Sequence, residues 1–146
     1  MSRLDCQRRV KALWEEKWPG YGHLTVPVLW NNNVQNLPIP EQADTPFWLH
    51  LEVDFGVEEL VAFGNGRFRN ERRLYGALSV RTFSAINTND QFGLQLLDDA
   101  LAVYRSERRD TLSFIGDIGS MDEGGAEDGA WYERSARLMF EFRFSG

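Results

Sequence analysis

The sequence predicts an α+β fold: a mostly antiparallel β-sheet with a long β-hairpin and two helices packed on one face. Apolar residues recur with helical spacing in residues 2–18 and 87–107. They alternate with polar residues in 46–55 and 131–144, which is typical of half-buried strands. Helices and strands in this mixed order indicate a layered α+β domain. The 146 residues predict a single domain, 1–146.

Residues 2–18 are predicted to form an amphipathic helix that Pro19-Gly20 ends. The apolar positions on one face of this helix are Cys6, Val10, Leu13 and Trp14. Residues 24–30 follow as a short strand, and Pro27 places it at a sheet edge because proline donates no ladder hydrogen bond. The polar segment 31–46 predicts a long loop.

The strand at 46–55 is predicted to open a long hairpin. Its core-facing residues are Phe47, Leu49, Leu51, Val53 and Phe55, and its outward residues are Trp48, His50, Glu52 and Asp54. The strand continues towards Val61, turns at Gly64-Asn65-Gly66 and returns as residues 72–83. His50 is therefore expected to face solvent or an interface.

The second half of the chain is predicted to add a helix and two strands. The helix spans 87–107 with Asn89 or Asp90 as its cap, and its apolar stripe comprises Phe92, Leu96, Leu97, Ala100, Leu101 and Tyr104. Residues 111–119 form a strand with Leu112, Phe114 and Ile118 on one side. An acidic glycine-rich loop, 120–130, precedes the last strand, whose core-facing residues are Tyr132, Ala136, Leu138, Phe140, Phe142 and Phe144.

Motifs for catalysis or for ligand binding are not found. The Gly64-x-Gly66 fragment lacks the third glycine of a dinucleotide site and the lysine of a P-loop. Cys6, His23 and His50 lack metal-ligand spacing, and the acidic segment does not match an EF-hand. Cys6 on an apolar helix face is typical of a small hydrophobe rather than a nucleophile. We therefore expect no enzymatic activity, no metal and no cofactor.

The charge distribution predicts a protein contact. The chain has 16 basic and 22 acidic residues, a net charge of −6, whereas nucleic-acid binders are usually basic. Three interpretations of the arginines in 67–73 remain: a nucleic-acid hairpin, a solvated strand end, or a contact with the acidic segment of another copy. The segregated charges favour the last. The predicted contact residues are Arg67, Phe68, Arg69, Arg72, Arg73, Asp122, Glu123, Glu127, Asp128 and Trp131.

Charged pairs at a surface contribute only about 0–1 kcal/mol each. Most of the association is therefore expected from apolar contacts, including Trp48 or Trp131. The N-terminal segment lacks the apolar stretch of a signal peptide, and no apolar run approaches a membrane span. The single cysteine agrees with a reducing cytoplasm.

The segments "VPVLWNN", "TPFWLHLEV", "GRFRNERRLYGALSVRTFSAINT", "GLQLLDDALAVYRS" and "DGAWYERSARLMFEFRF" resemble, in this order, the tail-terminator proteins of long-tailed bacteriophages. The Arg72-Arg73-x-x-Gly76-x-Leu78-x-Val80 run and Gly129-Ala130-Trp131-Tyr132 carry the resemblance best. It implies a virion tail protein that is assembled in the cytoplasm of the bacterial host. Six copies would form a ring on the tail tube, stop tube polymerisation and join the head.

The resemblance implies several partners: further copies of the chain, the tail tube protein and a head–tail connector or adaptor. DNA would only pass through the lumen, and no membrane, catalysis or cofactor is implied. Two other classes stay open. Another neck, connector or tail-completion ring protein would differ in the partner that it binds, and a small enzyme would need a pocket with convergent polar groups.

Overall fold

The computed structural model describes residues 2–23, 26–30, 47–62, 71–85, 90–109, 111–125 and 131–145. Within them, helix α1 is Ser2–Lys17, a 3₁₀ helix is Trp18–Tyr21, and helix α2 is Asp90–Tyr104. The strands are β1 Val28–Leu29, β2 Phe47–Ala62, β3 Glu71–Ala85, β4 Arg108–Arg109, β5 Leu112–Gly125 and β6 Trp131–Ser145. These elements confirm the predicted α+β class.

The six strands form one sheet in the order β1-β2-β3-β6-β5-β4. Among the described strands, β1 alone runs parallel to its neighbour, and the other pairings are antiparallel. The predicted hairpin is confirmed, since β2 and β3 pair from Phe47 with Ser84 to Ala62 with Glu71. Its predicted turn at 64–66 lies outside the described residues.

The core lies between one face of the sheet and the two helices. The sheet contributes buried side chains from alternate positions: Leu49, Leu51, Val53, Leu74, Leu78, Val80, Leu138, Phe140 and Phe142. The helices contribute Cys6, Val10, Leu13, Trp14, Leu96, Leu97, Ala100, Leu101 and Tyr104. The predicted apolar stripes of both helices are therefore confirmed, with Phe92 partly buried against the core.

Tyr104 links the two helices inside this core. Its hydroxyl donates a hydrogen bond to the Val10 carbonyl oxygen at 2.9 Å. Burial raises the pKa of Tyr104 well above its ordinary value, because the phenolate would lose its hydration. The hydroxyl therefore stays protonated and keeps its donor role.

Helix α2 is shorter than predicted. It ends at Tyr104 rather than at 107, since Ser106 adopts a left-handed backbone with φ 60° that does not continue a helix. The chain then forms β4, which the sequence pattern did not predict. Asp90 starts the helix, and Asn89 lies outside the described residues.

The predicted strand at 24–30 is confirmed only at Val28–Leu29, where β1 pairs with Leu49 and His50. Leu24 and Thr25 lie outside the described residues, as does the predicted loop at 31–46.

Strand β5 differs from the prediction in length and in register. It continues to Gly125, so residues 120–125 form strand rather than loop, while 126–130 lie outside the described residues. The register shifts between Phe114 and Gly116. Ile118 consequently pairs with Arg137 rather than with Ala136, and the predicted alternation with Leu112 and Phe114 is wrong beyond the bulge. In the described part of the chain, no helix is long and apolar enough to cross a membrane.

Candidate functional site

The sheet has a second face, opposite the helices, which we call the open face. It carries the alternate side chains that the core does not use: Glu52, Asp54, Arg73, Tyr75, Ala77, Ser79, Arg81, Glu133, Arg137, Met139, Glu141 and Arg143. Acids and arginines alternate across neighbouring strands on this face. Arg81 lies 3.9 Å from Glu52 and 3.7 Å from Glu133.

The predicted contact residues occupy two distant parts of the sheet. Register pairs Arg73 with Arg143, and Asp122 with Ser135, which is eight residues away along β6. At 3.3 Å per residue this separates the two groups by roughly 26 Å. Among the described residues, the predicted arginines at the start of β3 and the predicted acids of β5 therefore do not meet within one chain, and the proposed contact between copies stays a prediction.

Several of these residues lie beyond what the structure describes. Arg67, Phe68, Arg69, Glu127 and Asp128 are outside the described residues. Asp122 and Glu123 belong to β5, and Trp131 starts β6, with only their backbone described. Arg72 and Arg73 start β3.

Arg72 and Arg73 form ion pairs within the chain. Arg72 lies 3.8 Å from Glu58. Arg73 donates a hydrogen bond to the Tyr75 hydroxyl at 3.0 Å, and Tyr75 donates to Glu59 at 3.2 Å. The hydrogen bond to Tyr75 is the main cause that raises the pKa of Arg73.

A second carboxylate completes the surroundings of Arg73. Its Nε lies 2.8 Å from Glu141 Oε1, a close contact of opposite charges without hydrogen-bond geometry. Arg143 approaches the same Glu141 oxygen at 2.8 Å. The arginine charge at this end of β3 is thus largely balanced by acids of its own subunit.

A shallow apolar groove of about 300 Å³ lies beside these charges on the sheet. Val57, Ala77 and Met139 line it, and the Asp54–Arg137 pair, 3.8 Å apart, lies at its border. Val57 is 67% exposed and Met139 is 38% exposed. An apolar centre with a charged rim is the usual composition of a protein interface.

Two predictions for the outward side of β2 are wrong. Trp48 is fully buried and stacks on Phe83 with ring centroids 3.9 Å apart. His50 is only 3% exposed. Trp48 is therefore not an exposed interface aromatic, and His50 does not face solvent. The alternation of β2 predicts correctly on which face of the sheet each residue lies. It does not predict burial, which depends on what other parts of the chain cover that face.

His50 has an unusual environment for a buried polar side chain. Among the residues that the structure describes, neither of its ring nitrogens has a hydrogen-bond partner. Its pKa is lowered, first by burial and then by the charge of Arg81, while Glu52 acts in the opposite direction. The imidazole is consequently held in its neutral form.

One polar pair, His23 and Asp99, could not be recognised from the sequence. His23 Nε2 lies 2.7 Å from Asp99 Oδ2, and Gln95 donates to the other oxygen at 2.9 Å. The imidazole packs against the rings of Trp18 and Phe92. The separation of 76 positions between His23 and Asp99 explains why no sequence motif indicates the pair.

Other reactive chemistry is not assembled in the described residues. Burial raises the pKa of Cys6 to about 12, so the thiol stays protonated. Among the described residues no cluster of three or more His, Cys, Asp or Glu side chains could hold a metal ion.

The comparisons with known proteins extend to the fold alone. No family model matches the chain, and no curated protein matches it. One solved structure, whose name states no activity, matches with a TM-score of 0.57 and 17% sequence identity. The match covers 94% of this chain and 96% of that one. At this identity the chain shares an overall fold with that protein, without any transfer of function.

Proposed function

We propose that this chain is a tail-terminator subunit of a long-tailed bacteriophage. In this function, copies of the chain form a hexameric ring that caps the tail tube, ends tube polymerisation and joins the tail to the head. The protein contacts its own copies, the tube protein and a head–tail connector, and DNA passes through the lumen. It is a structural protein of the virion tail, assembled in the host cytoplasm, without catalysis or cofactor.

The observation that carries this proposal is the composition of the open face. Its charges are paired across strands, and its apolar groove at Val57, Ala77 and Met139 is exposed. Such a surface suits a protein partner, because the partner can cover the apolar centre without leaving a buried charge unpaired. A reaction site would instead need convergent polar groups in a concave pocket.

The resemblance to tail terminators supports the same function. Its segments fall on four elements in chain order: "FWLHLEV" on β2, "RRLYGALSVRTF" on β3, "GLQLLDDALAVY" on α2 and "WYERSARLMFEFRF" on β6. The resembling residues therefore build the hairpin, the covering helix and the central strand of one sheet.

We expect the purified protein to form a discrete hexamer whose assembly weakens as salt rises, because charged contacts between copies are screened. Light scattering behind a sizing column, across concentration and ionic strength, measures this directly. A discrete ring of another size, or assembly that strengthens with salt, would contradict the expected hexamer or its charged contacts.

If the purified protein is a strict monomer, the next measurement is its binding to tubes, since a ring can assemble on the tube end alone. Binding to immobilised tube protein and to connector protein then separates the two ring classes. A terminator binds and caps tubes, whereas another neck protein binds the connector without affecting tube length.

A further inference from the structure

The two lateral edges of the sheet carry opposite charges at the same level. One register row crosses from edge to edge: it starts at Glu58 on β2, passes through Leu74, Phe142 and Leu112, and ends at Arg109 on β4. A head-to-tail neighbour in the same orientation would bring the acidic end of this row to the arginine end of the next copy.

The charges also match face by face. Glu59 is the register partner of Arg73, so it belongs to the open face. Arg108 pairs with Ser113, which pairs with Glu141 on the same face. Glu58 and Arg109 belong to the helix face of the row. Glu58 and Glu59 therefore each have an arginine on the matching face at the β4 edge. Arg109 lies in the row of Glu58, and Arg108 lies two register positions from the row of Glu59.

Both edges are open along most of their length in the described chain. Strand β1 pairs with β2 only at Leu49 and His50, and β4 pairs with β5 only at Leu112 and Ser113. Beyond these positions the described residues place no strand beside β2 or β5.

Large apolar side chains are exposed on both edge strands. Val57 and Leu60 on β2 are 67% and 37% exposed, and Ile115 on β5 is 49% exposed. Two exposed edges with apolar residues are a liability unless they are covered.

Most of the charged groups at the two edges form exposed ion pairs within their own subunit, which a neighbour can replace. Within the described chain Arg108 forms no ion pair, and the half-exposed Arg109 lies 2.8 Å from Glu16 and 3.6 Å from Glu107. Glu58 and Glu59 lie 3.8 and 3.6 Å from their arginines. Exposed pairs of this kind contribute little, so the charges set orientation while the apolar residues supply most of the contact.

We infer that the β2 edge of one copy docks on the β4–β5 edge of the next, with Glu58 and Glu59 facing Arg108 and Arg109. The contact is heterologous, so repetition closes a ring when the rotation fits. A symmetric contact between two β2 edges would instead bring four acids together. This inference rests on the proposed ring and identifies the surface that builds it, which differs from the arginine–acid contact expected from the sequence.

Two charge-reversed variants test the contact by complementation. Glu58→Arg/Glu59→Arg and Arg108→Glu/Arg109→Glu should each raise the concentration for half-assembly at least tenfold. An equimolar mixture should restore assembly, because the new arginine edge meets the new glutamate edge and the two native edges meet each other. Arg3→Glu/Arg8→Glu on exposed positions of α1 is the matched control and should assemble normally.

Disulfide trapping provides a second measurement that does not need a stable ring. Glu58→Cys combined with Arg109→Cys, which share one register row and one face, should give a ladder of cross-linked copies under mild oxidation. The two positions are four strand spacings apart, about 19 Å, which excludes an internal disulfide. The buried Cys6 thiol, with its pKa raised to about 12, does not compete.

The outcomes separate this contact from the proposed function. Normal assembly of both reversed variants, or the absence of both a native ring and a ladder from the double-cysteine variant, overturns the edge contact and leaves tube capping to its own measurement. A different result is that the native protein forms a ring and the double-cysteine variant a ladder, while tube lengths stay unchanged. That result would overturn the tail-terminator function and keep the contact.

Discussion

Gly76→Ala is expected to destabilise the protein by about 3 kcal/mol, at the upper end of the usual cost of overpacking. A Cβ atom at this position would lie 2.3 Å from Phe140 Cζ and 2.6 Å from the Asp54 backbone oxygen. The ring of Phe140, which packs edge-on against Phe55, occupies the space that the missing side chain leaves. Neither the backbone oxygen nor the buried ring can move without disturbing the β2–β3–β6 pairing.

Chemical denaturation of the variant measures this cost, and Gly116→Ala is the matched control. Gly116 is also a strand glycine, but a Cβ there would meet nothing within 4 Å. The control should change the free energy of unfolding by less than about 1 kcal/mol. In a Phe140→Leu background the cost of Gly76→Ala should fall, since part of the clash is removed. Equal stability of the two alanine variants would contradict the close approach at Gly76.

Acidification is expected to destabilise the protein through His50. The pKa of His50 is lowered in the folded state from its ordinary value of 6.5. The unfolded chain therefore binds more protons than the folded chain once the pH falls below about 6.5. The stability that is present above that value is lost as the pH falls towards the folded pKa, by at most about 1.4 kcal/mol per pH unit.

Denaturation between pH 5 and 7.5 measures this slope. His50→Leu should flatten the profile, because the leucine cannot be protonated and leaves no unpartnered nitrogen in the sheet. His23→Gln is the control at the other histidine and should keep the His50 component. An unchanged slope in His50→Leu would show that other groups cause the acid sensitivity.

The fold could be predicted because the alternation and helical spacing are long and regular. The strand pattern of Phe47 to Phe55 and of Ala136 to Phe144 gives the core face directly. The bulge between Phe114 and Gly116 could not be predicted, since it adds one residue without a pattern of its own. Strand β4 could not be predicted for a similar reason, because its two charged residues, Arg108 and Arg109, show no periodicity.

The candidate site could be predicted from the sequence less completely than the fold. Clustered arginines indicate a charged end, but the pairing of Arg73 with Glu59 and Glu141 depends on which strands become neighbours. The row from Glu58 to Arg109 likewise exists only once the strand order is known. Burial of His50 and Trp48 could not be foreseen, because alternation reports the face of a residue and not what covers that face.

The most direct test of the account is the length of tail tubes that polymerise with and without this protein. Tube protein is assembled with increasing substoichiometric amounts of the chain, and lengths are measured by electron microscopy, with Arg3→Glu/Arg8→Glu as a control for surface charge. Tubes are expected to be shorter, in proportion to the amount of protein added, and to carry a ring at one end. Tubes of unchanged length with bare ends, at concentrations where the protein is assembled, would contradict the proposed function.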